Sequence, residues 1–383
     1  MTSLKKIYYL EGFRGLAAFI VVIAHYMQFY YYNPLFRNPD TSFEFLLSKT
    51  PINLFYNGNF AVFSFFVLSG YVLSIKFFRE KNFEIIQASA AKRYIRLAIP
   101  VLFSVIFAYI LLITNSYDLF TKYTGDVRYE EMSHNFFEMI KITLYDIFFN
   151  YSNAYNGVLW TMTYELFGSF IVFSFMALFG LNRKRYLAYA IIIILFWDSY
   201  FLAFILGMLL SDINHSPVNH KIIPKKKPII TFFMFILGIY FASYPYGSTN
   251  NSIYDVLKFS FLDVEFRAFY HILGAFFMII AILNSEILQS FFSRKILLYL
   301  GRISFSLYLV HFPIITSLSF YIFDIVREQY SYHVSFIITF IISITITFVL
   351  SHYVSKFVDE KAIIISNRFY HRFVKTKEEQ KVK

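Results

Sequence analysis

The chain has 383 residues, of which 58% are hydrophobic, 22% aromatic and only 15% charged, and its mean hydropathy is +0.54. This composition lies well beyond the apolar share of soluble globular proteins and indicates an integral membrane protein. The net charge of +11 is spread over loop ends and the C-terminal tail, which argues against a nucleic-acid partner, and the lack of cysteine excludes disulfides, thiolate nucleophiles and zinc-thiolate sites.

Hydropathy predicts ten transmembrane helices. The predicted spans cover residues 7–31, 57–78, 97–115, 158–180, 186–197, 199–211, 229–244, 267–285, 303–322 and 334–357. The fifth and sixth spans are short and flank a polar Trp197-Asp198-Ser199 turn, so a tilted hairpin is the alternative for this pair. Lys and Arg are more frequent in the loops and tails on the same side of the membrane as the N-terminus, and the positive-inside rule places both termini in the cytoplasm. The predicted fold class is all-α, a polytopic transmembrane helix bundle of about ten helices.

The first predicted span carries two polar side chains, Arg14 and His25, with ten residues between them. In a helix they share one face about 16 Å apart. Because a charged group in a bilayer costs about 2.5–3.5 kcal/mol, such residues usually face the bundle interior and mark a site. Glu11, three residues before Arg14, is predicted to neutralise it as an intrahelical pair. The alternative is a snorkelling arginine and a histidine that only packs helices.

Two further segments lie outside the spans. The largest loop, 116–157, contains apolar residues at helical spacing, which predicts a helix lying flat at the outer membrane interface. These residues are Phe136, Ile140, Leu144, Ile147, Phe148 and Tyr151. One transmembrane domain is predicted over residues 1–360. It is followed by a basic cytoplasmic tail, 361–383, that lies on anionic lipid or is disordered.

Five motifs resemble those of the integral-membrane acyltransferase 3 family, in the family's order and over residues 7 to about 360. They are Leu10-Glu11-Gly12-Phe13-Arg14-Gly15 with His25, Phe65-Phe66-Val67-Leu68-Ser69-Gly70, Lys92-Arg93-Tyr94-Ile95-Arg96 with Pro100, Leu159-Trp160-Thr161-Met162-Thr163-Tyr164-Glu165, and Leu300-Gly301-Arg302-Ile303-Ser304-Phe305-Ser306-Leu307-Tyr308-Leu309-Val310-His311-Phe312-Pro313. Each motif is weak alone, whereas the ordered set is specific. Three departures leave the Arg14 and His25 pair intact: Glu11 for aspartate, Lys92 for the first arginine, and Asp359-Glu360-Lys361 for a closing Glu-Arg-Pro.

The resemblance implies a membrane-embedded O-acyltransferase, most often an O-acetyltransferase, that takes its acyl group from cytoplasmic acyl-CoA such as acetyl-CoA. The implied acceptor is a hydroxyl of a cell-envelope polysaccharide, lipopolysaccharide or lipid-linked saccharide, and the implied location is the bacterial cytoplasmic (inner) membrane. One alternative is a proton-coupled transporter or flippase of a glycan precursor, because a carrier also needs intramembrane Arg, Glu and His. A scaffold in a glycan-assembly complex is a third class.

The candidate site combines side chains of several spans. Arg14, Arg93 and Arg96 near the inner face suit the phosphates of coenzyme A, because a guanidinium presents two donors at once. Counting 1.5 Å per residue places His25 about 27 Å above the inner edge of a core about 30 Å thick, and Glu165 about 10 Å below the outer edge. His25 is predicted to be the general base on the acceptor hydroxyl, supported by Glu165. The alternative makes His25 a nucleophile that briefly carries the acyl group.

Ser69, Trp160 and His311 are predicted to contact substrate or shape the site. The alternative for Ser69 is close helix packing, and the alternative for Trp160 is an interfacial anchor. His311 could equally make a structural hydrogen bond, which a buried imidazole needs. The histidines lack metal-ligand spacing, so no metal is predicted. A Gly-rich phosphate loop and a Gly-x-Ser-x-Gly elbow are both missing from the sequence, which argues against ATP use and a serine hydrolase.

Overall fold

The computed structural model describes residues 7–31, 47, 49–215, 227–245, 252–257 and 267–374, and every regular element in these ranges is a helix. We number the α-helices of six residues or more in chain order. They are α1 (Tyr8–Tyr30), α2 (Gly58–Glu80), α3 (Phe83–Ile113), α4 (Asp118–Thr124), α5 (Phe136–Lys141), α6 (Thr161–Phe179), α7 (Arg185–Leu195), α8 (Phe201–His215), α9 (Pro228–Ala242), α10 (Arg267–Asn284), α11 (Glu286–Phe292), α12 (Lys295–Ile314), α13 (Phe320–Arg327), α14 (Tyr332–Val354) and α15 (Glu360–Phe369).

Seven of the described helical runs are long and apolar enough to cross a membrane. They are α1, α2, α3, α6, α10, the run Lys295–Arg327 through α12 and α13, and the run Tyr332–Val374 through α14 and α15. This confirms the prediction of an all-α, multi-pass membrane protein. Predicted spans five to seven correspond to the shorter apolar helices α7, α8 and α9, of 11, 15 and 15 residues. A perpendicular crossing needs about 20 residues, so the count of ten and the side of the termini stay predictions.

The chain divides into two compact units. The first consists of Met1–Ile86 and Phe167–Ser304, and the second of Gln87–Leu166 and Phe305–Lys383. In the first unit α2 packs against α1, α8 and α10, and α9 packs against α10. A Cβ on Gly70 would overlap the backbone oxygen of Phe204, so α2 and α8 approach closely at this point. Small residues permit such contact between transmembrane backbones, and Gly70 has this role here.

Helix α3 begins 14 residues before the predicted start at residue 97. The side chain of Asn82 accepts a hydrogen bond from the Glu84 N–H at 2.8 Å, which caps the first turn. The basic cluster from Lys92 to Arg96 therefore lies inside the helix. The helix is therefore longer than the predicted hydrophobic span, because a helix can continue through a polar stretch rich in Lys and Arg, and the membrane boundary at residue 97 stays a prediction.

The segment predicted to lie flat at the membrane interface instead runs alongside α3 in the second unit. Helix α5 continues through a π turn, Ile142–Asp146, to residue 149. Near its start the Tyr109 hydroxyl donates to the carbonyl of His134, and near its end the Tyr94 hydroxyl donates to the carbonyl of Leu144, both at 2.6 Å. Tyr94 and Tyr109 are separated by about 22 Å along the α3 axis. This arrangement argues against a flat orientation, because α3 is long and apolar enough to cross the membrane.

The face that this segment buries matches the predicted one only in part. Met139, Thr143 and Ile147 are buried at a four-residue spacing. Ile147 belongs to the predicted face, whereas three other members of that face are exposed: Phe136, Leu144 and Tyr151. The hydrophobic pattern indicated a helix correctly but did not indicate which side packs, because both sides are largely apolar.

The last helical run extends past the predicted domain boundary at residue 360. It continues through π turns at Ser355–Asp359 and Tyr370–Val374. The Lys92 ammonium on α3 donates to the side-chain oxygen of Asn367 at 3.1 Å and lies 5.6 Å from the ring centroid of Tyr370. Residues 361–374 of the predicted tail are therefore helical, whereas 375–383 lie outside the described residues.

Candidate functional site

The residues predicted to form the site belong to both units. The first unit contains Arg14, His25 and Ser69, and the second contains Arg93, Arg96, Trp160, Glu165 and His311. Within the second unit, the structure brings Arg93 and Glu165 into direct contact.

Arg14 lies on α1, a continuous helix of 23 residues. Its Nη2 donates to the carbonyl of Gly301 at 3.0 Å and lies 3.5 Å from Oε1 of Glu11. The second contact confirms the predicted intrahelical pair. The Nε of Arg14 is buried and has no hydrogen-bond partner among the described residues, while 39% of the side chain remains exposed. The guanidinium is thus bound to protein acceptors through Nη2, and the side chain is still partly accessible to solvent or ligand.

A backbone contact between α1 and the start of α12 brings Arg14 within reach of Gly301. A Cβ on Gly15 would overlap the backbone nitrogen of Gly301, and a Cβ on Gly301 would overlap the carbonyl oxygen of Glu11. Any larger residue at either position would force the helices apart. The two glycines therefore hold Arg14 beside a main-chain acceptor.

His25 lies eleven positions after Arg14 on α1, and the uninterrupted helix places both residues on one face, as predicted. The imidazole is half-buried, and its ring stacks on Phe29 with a centroid separation of 6.4 Å and an interplanar angle of 22°. The neighbouring residues Tyr26 and Tyr30 are fully buried. A neutral imidazole has one donor and one acceptor nitrogen, so His25 can accept a proton.

Arg93 and Glu165 form an ion pair within the second unit. Nη2 of Arg93 donates to Oε2 of Glu165 and, at 3.4 Å, to the main-chain carbonyl of the same residue. The side chains are 11% and 13% exposed, and charges this buried require a partner. The sequence placed Arg93 at the inner face and Glu165 in the outer half of the membrane. Their contact puts both at one level, so the predicted separation is wrong.

Arg96 and Trp160 have more open surroundings than this pair. Arg96, three residues after Arg93, is exposed. Trp160 is half-buried, and its ring meets the Tyr164 ring edge-on with a centroid separation of 5.8 Å and an interplanar angle of 81°. Of the two arginines in this motif, Arg96 is therefore the one whose side chain reaches the surface.

A buried polar cluster that the sequence analysis did not single out precedes Glu165 on α6. The Tyr308 hydroxyl donates to the carbonyl of Val158 at 2.8 Å and lies 2.8 Å from Oγ1 of Thr161. Tyr308 and Thr161 are 6% and 2% exposed. Both residues lie inside the motifs quoted above, so a signal was present, but their contact links segments about 150 residues apart in sequence.

His311 is fully buried on α12 in the second unit. Its Nδ1 lies 2.9 Å from the carbonyl of Leu307, which can only accept, so Nδ1 carries the proton. In the neutral ring Nε2 is then the acceptor. The structural hydrogen bond considered for His311 is therefore present, and a site role for this residue stays a prediction.

These side chains suit proton transfer and anion binding. His25 supplies an imidazole, Arg14 and Arg96 supply partly accessible guanidinium groups, and Arg93 and Glu165 compensate each other's charge. In the part of the chain that the structure describes, no cluster of three or more His, Cys, Asp or Glu side chains could hold a metal ion.

Comparison with known proteins gives a consistent result. A family model described as "Acyltransferase domain" (Acyl_transf_3) matches residues 7–352. The chain is 23% identical over 432 residues to O-acetyltransferase PaAT-1 of Phomopsis amygdali, covering 97% of this chain and 86% of the relative. It is 22% identical over 397 residues to Acyltransferase R4 of a Phoma species, covering 81% and 82% of the two chains. No solved structure gives a significant match.

Proposed function

Because the chain belongs to the acyltransferase 3 family and is an enzyme that transfers acyl groups, we propose that it moves an acetyl group from cytoplasmic acetyl-CoA to a hydroxyl of a cell-envelope saccharide. The choice of acetyl is supported by the relative named an O-acetyltransferase, which aligns with 97% of this chain. The observation that carries the proposal is α1 itself, a single helix within the family match that presents Arg14 and His25 on one face.

His25 is the proposed general base. The neutral imidazole takes the proton of the acceptor hydroxyl as the oxygen attacks the thioester carbonyl. The carbonyl carbon gains the ester bond and loses the thioester bond, and the coenzyme A thiolate leaves. The imidazolium then returns its proton to this sulfur, so His25 ends the cycle neutral. General-base catalysis of this kind contributes about 10²–10⁴-fold in rate.

The donor phosphates are proposed to bind Arg14 and Arg96. Both side chains are partly accessible, and an arginine can donate two parallel hydrogen bonds to a phosphate. Arg93 has a different role in this proposal, because its Nη2 is engaged by Glu165. A phosphate that reached Arg93 would have to compete with a carboxylate already in contact with it.

Glu165 is proposed to assist the imidazolium of His25 electrostatically, with Arg93 fixing its side-chain orientation. Removing the carboxylate would leave the transient positive charge on His25 less stabilised. Since the stabilisation applies only when His25 is protonated, loss of Glu165 should lower kcat more than it raises KM for acetyl-CoA.

We propose a polysaccharide, lipopolysaccharide or lipid-linked saccharide acceptor and the bacterial cytoplasmic membrane, following the motif resemblance. The two relatives described above come from Phomopsis amygdali and Phoma, and their names specify neither acceptor nor membrane. Mass spectrometry of cell-surface glycans with and without the protein tests the acceptor: one acetyl mass per repeat unit supports a saccharide, and an unchanged profile for every envelope polymer contradicts it.

Purified protein given radiolabelled acetyl-CoA and a candidate glycan tests the reaction. We expect label transfer with the unchanged protein, loss of transfer with His25→Ala, and full transfer with the control His333→Ala, which alters an exposed histidine of another helix. Full transfer by His25→Ala would remove His25 from the mechanism. Rapid quenching with labelled thioester distinguishes the two routes, because an acyl-histidine adduct on residue 25 would replace direct attack by a covalent step.

A further inference from the structure

Pro313 leaves a buried carbonyl of α12 without its usual partner. In an α-helix the N–H of residue i+4 donates to the carbonyl of residue i, and proline has no N–H. The carbonyl of Leu309 is four residues before Pro313, and Leu309 is fully buried. A buried carbonyl without a donor is unfavourable, so the fold must supply one from elsewhere.

Two side chains from other segments of the second unit supply that donor. Nδ2 of Asn156 donates to the Leu309 carbonyl at 2.7 Å, and Oγ of Ser104 donates to it at 2.9 Å. Asn156 Nδ2 also lies 2.8 Å from Ser104 Oγ, and both side chains are fully buried. A carbonyl oxygen has two lone pairs, so it can accept both bonds.

The same asparagine fixes the chain that leads into α6. Its Oδ1 accepts the N–H of Val158 at 3.3 Å, and the carbonyl of Val158 in turn accepts the Tyr308 hydroxyl at 2.8 Å. Residues 156–158 are therefore hydrogen-bonded to α12 at two positions, Tyr308 and Leu309. Helix α6 starts three residues after Val158, at Thr161. Trp160 lies immediately before the helix, and Glu165 lies in its second turn.

We propose that Asn156 is a positioning residue for acyl transfer: by occupying the carbonyl that Pro313 frees, it sets the place and direction of the α6 N-terminus and hence of Glu165. Ser104 shares this carbonyl and acts with it. The proposal rests on the proposed function in so far as Glu165 assists catalysis. Asn156 hydrogen-bonds to Ser104, Leu309 and Val158, so it acts on catalysis through the turn before α6 and through Glu165.

The test uses Asn156→Ala in two backgrounds. In the natural background we expect kcat to fall about tenfold or more, because small displacements of a positioned group have effects of this size, while KM for acetyl-CoA stays within about twofold. In Pro313→Ala, residue 313 regains an N–H that can bond the Leu309 carbonyl. Adding Asn156→Ala to Pro313→Ala should therefore lower kcat by less than about threefold.

Asn284→Ala is the matched control, since Asn284 also donates from its side chain to a helix carbonyl, that of Ile280 at 2.8 Å, with no proline at the following i+4 position. Its effect should be small and equal in both backgrounds. An Asn156→Ala defect of the same size with and without Pro313 would overturn the proposal. A change confined to KM would overturn it as well.

Thermal unfolding keeps the proposal testable if the proposed function fails. We expect the unfolding midpoint to fall with Asn156→Ala and to fall much less when Pro313→Ala is also present, whether or not acetyl transfer is detected. If Asn156→Ala does not accumulate, the double variant with Pro313→Ala should accumulate. Failure of the double variant to accumulate contradicts the assignment of Asn156 to the freed carbonyl.

Discussion

The guanidinium of Arg93 contacts the carboxylate of Glu165, and both side chains are withdrawn from the protein surface. Arg93 lies ten residues into α3 and Glu165 four residues into α6, so the pair links the early turns of two long apolar helices. The two arginines of this motif therefore differ in burial: Arg93 is paired and largely buried, whereas Arg96, three positions further on, is exposed.

Removing one partner of this pair should destabilise the protein more than removing both. A lone buried charge costs about 3–5 kcal/mol, whereas apolar residues of similar volume are often nearly neutral. Thermal unfolding in detergent should show large decreases for Arg93→Met and for Glu165→Leu, and recovery in the double variant. Acetyl transfer should stay low in the double variant, because the carboxylate is absent.

A surface pair provides the comparison for this experiment. Lys76 and Glu80 are one turn apart on α2, and Nζ of Lys76 lies 4.0 Å from Oε2 of Glu80. Their side chains are 40% and 45% exposed. Exposed pairs contribute about 0–1 kcal/mol, so Glu80→Gln should leave the unfolding midpoint almost unchanged. Equal effects of Glu80→Gln and Glu165→Leu would contradict the buried pairing.

The segment from Phe136 to Phe149 should lie at membrane depth along α3. The natural chain has no cysteine, so single cysteines can be placed without background labelling. Tyr145→Cys should react slowly with a membrane-impermeant maleimide in intact vesicles, since the exposed side of this segment would face lipid. Asp118→Cys, exposed at the far end of α3, should react quickly. Fast reaction at both positions would restore a flat interfacial orientation.

Gly70 should be more sensitive to substitution than its neighbour Ser69. A side chain on Gly70 would push against the Phe204 backbone, and overpacking of this kind costs about 1–3 kcal/mol. Gly70→Val should lower the yield and the unfolding midpoint of the purified protein. Ser69→Ala should lower the midpoint less than Gly70→Val, because it removes one atom and introduces no overlap with a neighbouring helix.

Tyr123 should contribute to instability at alkaline pH. Burial, together with a hydrogen bond to the negatively charged Asp324, raises the pKa of Tyr123 from 10.0 to about 12. Because the pKa is higher in the folded state, stability is retained below pH 10 and falls as the pH rises towards 12. Tyr123→Phe should reduce this fall in the unfolding midpoint between those pH values. Tyr145→Phe, at an exposed tyrosine, should leave the fall unchanged.

Hydropathy predicted the helices well because lipid exposure requires long apolar runs and internal backbone hydrogen bonding. The helix around Arg14 and His25 begins and ends within one residue of the predicted span, and the Glu11 pairing follows from helical spacing. Charge was a poorer guide to helix ends. Lys92 and Arg96 precede the predicted span, yet both lie inside α3, and Lys92 reaches Asn367 from there.

The polar contacts of the site were much harder to predict than its helices. Arg93 and Glu165 are 72 positions apart, and nothing in local spacing indicates that they meet. No motif or spacing in the sequence singles out Asn156. Only the lost N–H of Pro313 hints that some distant donor must reach Leu309, and the sequence does not say which residue does so.

The contact between Gly15 and Gly301 has a mechanical consequence. At this point the backbones of α1 and α12 are in direct contact, so no side chains lie between them that could rearrange if one helix moved against the other. Such close contact restricts movement of α1 against the helix turn around residue 301, and Arg14 and His25 lie on the helix that is restricted in this way. Adjustment to donors of different shape is then easier through side-chain rotamers than through movement of α1, and the long arginine has far more of that freedom than the imidazole.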